Sequence, residues 1–427
     1  MRTLIRGRLL TFHADPSDSA EAHRYVEDGA LIVADGRIEA VGDYAALRAD
    51  GLAEIDHRPH LILPGFIDPH LHFPQLQVTA SWGSDLLDWL TRYTFPEESR
   101  FADPGHAAWA AGAFLDELAR AGTTTASVYA SSHAASADAL LAEADRRGLR
   151  MNVGKVMMDR NAPPGVLDTA QTSYDDSAAL ARRWHGQGRL SYVITPRFAI
   201  TSTPEQLAAA QALAQDFPDC PIQTHLSENG DEIALTMQLY PDRRDYLDIY
   251  DHFGLLGQRS LMGHCLHLSD VEIARMAETG TRAIACPTSN LFLGSGLFDR
   301  KRLHGEGVVT GIATDIGGGT DWSMLRTLGE GYKVSQMRGH RLHPLELMHW
   351  ATRGNALAMG LADRIGTLDA GTEADLVVLD ARATPAMRLR MDRAADLADE
   401  LFVLTTMGDD RAVVETYAAG RAMKKPG

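Results

Sequence analysis

Hydrophobic and polar residues alternate over the first sixty positions of the chain. Residues 30–34 form a short apolar run, Asp35-Gly36 supplies the pair that a tight hairpin favours, and residues 37–42 return with period-two character. The far end reads the same way. Gly371-Thr372 precedes the strand-like residues 374–380, and residues 412–417 give a last strand. Two β-rich ends flank a middle of different character. The pattern predicts a small composite β-sandwich domain from residues 1–60 and 365–427, with a large domain, residues 61–364, inserted between its halves.

In the middle, strand-like and helix-like segments alternate. Strand-like runs begin near Leu61, Thr123, Met151, Ser191, Ile222, Leu261, Arg282 and Val308, each followed by a helical or loop-rich stretch. Thr203-Pro204-Glu205-Gln206 reads as a capping box with proline at the first helical position. Leu207, Ala210, Ala214 and Phe217 then keep one face apolar. Ser269 and Glu272 form a second capping box, and Gly280 ends that helix. Eight strand–helix units predict an α/β fold, a (β/α)₈ barrel of the TIM type. A doubly wound sheet would show a glycine-rich phosphate loop after its first strand, and none is present.

Composition narrows the partners. With 45% hydrophobic and 23% charged residues, the 427-residue chain has an ordinary globular make-up. The net charge of −16 repels a phosphate backbone, so nucleic acid is not expected as a partner. Three cysteines without a C-x-x-C pair argue against a disulfide framework and against a thiolate zinc cage. No apolar run reaches the ~20 residues of a membrane span. The start, MRTLIRGRLLTFHADP, reads as a first strand rather than a secretion signal, so a cytoplasmic protein is expected.

The chemistry sits at strand ends. The apolar run of residues 61–68 leads into Pro69-His70-Leu71-His72, and residues i and i+2 of a strand point to one face. A lone H-x-H pair is weak, because solvated histidines look the same. Here His225, His264 and Asp315 close three further strand-like runs. Imidazoles plus one carboxylate are what Zn²⁺ or Fe²⁺ accepts, and barrel active sites lie at the C-terminal ends of strands.

On these residues the chain resembles a known family. PGFIDPHLHFPQ, QTHLSEN, GHCLHL, CPTSNLFLGSG and ATDIGGGTDWSML resemble motifs of the amidohydrolase superfamily, and within it of the guanine deaminases. The Phe-Pro-Gln tail of the first motif, with Pro196-Arg197-Phe198, favours that branch. The resemblance implies one divalent transition metal, Zn²⁺ or Fe²⁺, held by His70, His72, His225 and Asp315. His264 would sit beside it and touch the attacking water or the intermediate; whether it also ligates stays open. Binuclear relatives carry a lysine at the end of strand 4, where this chain reads Thr195-Pro196-Arg197, so one metal is expected. Lys155, on strand 3, reads as structural. The resemblance also implies a homodimer.

Acid–base and substrate groups follow. Glu228, three residues past His225, is placed to take a proton from water and return it to a leaving amine. The P-C-x-x-C half of a cytidine-deaminase zinc site is absent. Arg197 offers a fork that matches the O6 and N7 acceptors of guanine. Gln75 can both donate and accept against a lactam edge. Phe198 can stack on a purine or belong to the core. Trp82, Trp89 and Phe95 lie in a long first loop and wall the pocket or pack beneath it. Cys286 opens a segment that shapes the site floor and has no base to make it a nucleophile. His267 reads as a loop or supporting residue, and His133 has no assigned role. The expected reaction is hydrolysis of guanine to xanthine and ammonia, with Glu228, His264 and Asp315 catalytic and Gln75, Arg197, Phe198, His225, Glu228 and Asp315 around the substrate. The alternatives are another aminohydrolase, acting on a pterin, a triazine or a different purine, and a barrel scaffold without catalysis.

Overall fold

The structure is a computed structural model that describes residues 2–19, 21–83 and 85–424. Of the two terminal segments expected to form one domain, residues 1, 20 and 425–427 lie outside the described residues. The terminal strands are β1 (Thr3–Phe12), β2 (His23–Ala34), β3 (Arg37–Asp43) and β4 (Ala53–Pro64). Asp35 and Gly36 both adopt positive φ between β2 and β3, the backbone a two-residue hairpin requires.

The barrel-type strands are β5 (Phe66–His72), β6 (Thr123–Tyr129), β7 (Arg150–Gly154), β8 (Val156–Met157), β9 (Ser191–Tyr192), β10 (Thr195–Pro196), β11 (Ile222–Leu226), β12 (Ser260–His264), β13 (Arg282–Ala285) and β14 (Thr310–Ile312). The chain then returns to the terminal sheet with β15 (Leu376–Leu379), β16 (Val413–Ala418) and β17 (Arg421–Ala422).

The terminal strands form one seven-stranded sheet in the order β17-β16-β15-β4-β1-β2-β3, where a two-layer sandwich was expected. Alternation gives β1 and β2 an apolar surface on each side. Ile5, Leu9, Leu31 and Val33 pack with Ile62, Leu376 and Val378, while Leu4, Ala30 and Ile32 face Tyr44 and Leu47. The expected boundary at residue 60/61 falls inside β4, whose last residues pair with β15. The apolar run of residues 61–68 is therefore two strands in two sheets, parted at Gly65. A Cβ there would lie 2.3 Å from the Thr124 hydroxyl, so only glycine lets the chain cross to β5 so close to β6.

Two parallel four-stranded ladders, β5-β6-β7-β9 and β11-β12-β13-β14, carry the TIM-barrel-type body, and an Ile194–Ile222 bridge links them. Between the last and first strands, the Asp315 amide donates to the His70 carbonyl at 3.0 Å. The Asn355 amide also donates to the carbonyls of both Ile67 and Ile312. Helices cover the strands, with caps largely as expected. Ser269 and Glu272 form a reciprocal box and Gly280 closes that helix at φ 72°. Thr203 caps its helix through the Gln206 amide, but the Gln206 side chain turns away to Asp168 and Ser173, so the reciprocal half is not made. Sheet and body are tied by buried Glu373, which accepts from Arg150 and Arg189. No helix among the described residues is long and apolar enough to cross a membrane.

Candidate active site

The C-terminal ends of the parallel strands converge on a buried cluster of imidazoles. His70 and His72 project from β5 at i and i+2, His225 from β11 and His264 from the end of β12. Asp315 lies three residues beyond β14. Two of these strand ends are bent into the left-handed region: φ is 71° at His264 and 53° at Asp315. Non-glycine residues rarely hold that backbone, and it re-aims both side chains inward.

Distances within the cluster are short. Asp315 Oδ1 lies 3.5 Å from His70 Nε2 and 3.4 Å from His72 Nε2, and His72 Nε2 lies 3.2 Å from His225 Nε2. Donor atoms held about 2.0 Å from a tetrahedral zinc stand about 3.3 Å from one another. The separations therefore fit a divalent transition cation. His225 Nδ1 faces the Arg197 carbonyl at 2.7 Å and must carry its proton there, which leaves Nε2 as a lone pair turned into the cluster. His70 Nε2 is buried with no hydrogen-bond partner, a cost that a cation would remove. Cys286 Sγ also falls among the potential donors with His70, His264 and Asp315, although burial pushes its thiol well above the usual range.

Charge follows burial. Burial holds His72 below the usual imidazole range, His225 well below it and His264 down to about 3. Neutral rings are the form that ligates. Burial also works against charge on Asp315, yet the imidazoles of His70 and His72 keep it well below the usual carboxylate range. Glu228 moves the opposite way. Burial, with the nearby carboxylates of Glu232 and Asp315, raises it well above the usual value, and the Ser295 hydroxyl opposes this.

Glu228 Oε2 lies 3.4 Å from His264 Nε2, and its Oε1 accepts from Ser295 Oγ at 3.1 Å. The Asn290 amide donates to His264 Nδ1 at 2.8 Å, so the ring carries its proton on Nε2, facing Glu228 and Asp315. A pocket opens over these groups, lined also by Gln75, Trp89, Arg197 and Phe198.

With this geometry in place, comparison with known proteins places the chain. The amidohydrolase family profile matches residues 61–423. The chain belongs to the amidohydrolase family. It is 47% identical over 410 residues to guanine deaminase of Escherichia coli (strain K12), a match covering 95% of this chain and 93% of that relative. A solved structure of E. coli guanine deaminase superposes with a TM-score of 0.96 at 46% identity, covering 98% of this chain and 99% of that one. Guanine deaminase from C. acetobutylicum, solved with guanine in its active site, superposes with a TM-score of 0.90 at 28% identity, covering 99% and 100%.

The nine residues expected from the sequence as metal ligands, catalytic groups or substrate contacts lie together in this amidohydrolase. Gln75, Arg197, Phe198, His225, Glu228 and Asp315 line the pocket with His72 and His264, and His70 lies beneath them. Some lesser expectations divide. Trp89 reaches the pocket, Phe95 packs beneath it, and Trp82 is 67% exposed. The long first loop is largely helical, with α, π and 3₁₀ turns over residues 86–102. His267 supports the loop holding Ser295, through its carbonyl. His133 bonds the Gly165 carbonyl, away from the pocket lining, and Lys155 is buried against Asp168.

Sequence reasoning missed Glu98, Asn290 and Ser295. Asn290 and Ser295 lie within CPTSNLFLGSG, so the motif held them but assigned them no partners. Glu98 had only a weak signal: Phe95-Pro96-Glu97-Glu98 is an ordinary helix start, and nothing in it tells which glutamate is buried.

Proposed function

We propose that this amidohydrolase is a guanine deaminase, which hydrolyses guanine to xanthine and ammonia. The observation that carries this is the near full-length match to E. coli guanine deaminase at 47% identity. The site supports it with a donor set for one cation, an acid–base pair and a polar recognition pair in a single pocket.

The proposed ligands are His70, His72, His225 and Asp315, and one cation per chain follows from the absence of a lysine in Thr195-Pro196-Arg197. A divalent transition cation held there, Zn²⁺ or Fe²⁺, supplies the Lewis acidity that activates water at neutral pH. The side chains do the rest. Arg197 and Gln75 grip the O6, N7 and lactam edge of the base, and Phe198 packs against its ring, which sets C2 over the acid–base pair. Water adds to C2 while Glu228 takes one of its protons. Glu228 then delivers that proton to ring nitrogen N3, takes up the remaining proton of the new C2 hydroxyl and passes it to the departing amine. The bond from C2 to the exocyclic nitrogen breaks, ammonia leaves, and C2 keeps the oxygen. His264 donates from Nε2 to the oxygen as charge grows on it, and Asp315 orients the water through its second oxygen.

The test is ammonia release from a panel of guanine, other aminopurines, an aminopterin and an aminotriazine, using metal-loaded protein. Guanine should give the highest kcat/KM. A pterin or triazine turned over faster than guanine would replace this reading with another aminohydrolase.

A further inference from the structure

Glu98 is wholly buried, yet it carries a carboxylate and touches none of the cation-site donors. It belongs to the short helix Phe95–Ser99, at the end of the helical segment that sends Leu86, Trp89 and Leu90 into the pocket. Its oxygens meet the two side chains proposed to recognise the base. Arg197 Nη1 donates to Oε1 at 2.9 Å and to Oε2 at 2.7 Å, and Gln75 Nε2 donates to Oε1 at 2.9 Å. At its other end, Gln75 Oε1 accepts from the Gly317 amide at 3.3 Å. The Phe95 ring, one turn before Glu98, lies 5.5 Å from the Arg197 guanidinium carbon.

These contacts remove choices from both recognition groups. A glutamine amide reads either way round unless its ends are fixed. Here a carboxylate holds the nitrogen and a backbone N–H holds the oxygen. The guanidinium is 97% buried and would be an unpaired charge without Glu98. Glu98 takes only its Nη1 corner, so the remaining donors are held at a fixed angle.

We propose that Glu98 is a positioning residue for base recognition: it sets the amide direction of Gln75 and the plane of Arg197, and so determines affinity for the purine without touching it. This rests on the guanine deaminase reading. Oriented, charge-assisted hydrogen bonds are the strong ones, and an amide at position 98 weakens both.

The experiment compares steady-state kinetics of metal-loaded wild type, E98Q, R197M and the E98Q/R197M double variant with guanine, with metal content measured on each. In E98Q, guanine KM should rise at least about tenfold with kcat within about threefold and metal unchanged. In the R197M background, E98Q should cost less kcat/KM than it does in the wild type, because only Gln75 is left for it to position. An unchanged KM in E98Q, a fall confined to kcat, or fully additive losses overturns the proposal. Should E98Q fail to accumulate as folded holoenzyme, E98D decides. It keeps the charge but withdraws it by one methylene, so KM must rise with metal retained, and an unchanged KM again overturns the proposal. Wild type inactive on guanine would instead sink the functional reading itself.

Discussion

His264 has two ring nitrogens with different tasks. Asn290 donates to Nδ1, which commits Nε2 to carry the proton beside Glu228. Removing the amide leaves Nδ1 unpaired and frees the other tautomer, in which Nε2 can no longer donate to the developing oxygen. Asn290→Ala should lower kcat about tenfold, the weight of one buried hydrogen bond, while leaving guanine KM within about threefold. Steady-state kinetics on metal-loaded protein checks this; a rise in KM with kcat intact would remove Asn290 from the chemistry. The chemistry-bearing residues at this scale were legible because their types are unusual at strand ends: four histidines and an aspartate close apolar runs. Their partners were not. Asparagine, serine and glutamate are common in loops and helix starts, and only the folded contacts show Asn290 on a ring nitrogen or Glu98 under a guanidinium.

The elements impose their own constraint. β12 passes so near β5 that a Cβ on Gly263 would lie 2.4 Å from His70 Cε1. Gly263→Ala should therefore push the His70 ring off its position and raise the apparent metal dissociation constant at least about tenfold. Metal retained after dialysis against a chelator measures it, and retention equal to wild type would show that the ring has room to move. Strand starts near Thr123, Met151, Ser191, Ile222, Leu261 and Arg282 agree with the structure to within a residue, because buried parallel strands are continuous apolar runs. The first strand was misread for the same reason. Residues 61–64 and 66–72 are all buried, and no periodicity marks the change of sheet at Gly65. The helical turns over residues 86–102 were hidden by Pro96 and a π segment, which break the 3.6-residue pattern.

Across the whole molecule, the terminal sheet reaches around to the barrel-type body. Asp15, in the turn between β1 and β2, meets Arg300 at 3.0 Å and lies 3.8 Å from His349. Burial holds His349 down to about 4, against the pull of Asp15 and with the help of Arg300 and Arg353. Unfolded, the ring takes up its proton near pH 6.5; folded, it does so only near 4. Between these values the unfolded chain binds more protons, so stability falls as the pH drops through this window. The loss from this residue is up to about 3 kcal/mol and is complete near pH 4. Chemical denaturation of wild type and His349→Leu at pH 7 and pH 4.5 should show a smaller loss in the variant. An equal loss would place the acid sensitivity elsewhere. That both ends of the chain share a sheet was legible from two β-rich termini. That they form one sheet of seven strands was not, because side-chain alternation does not record which strand pairs with which.

The most direct test of the account is xanthine formation from guanine, followed by absorbance, in metal-loaded wild type and Glu228→Gln. The account predicts turnover by the wild type and at least a hundredfold lower kcat in the variant, with metal content unchanged. A variant that forms xanthine at the wild-type rate would contradict it.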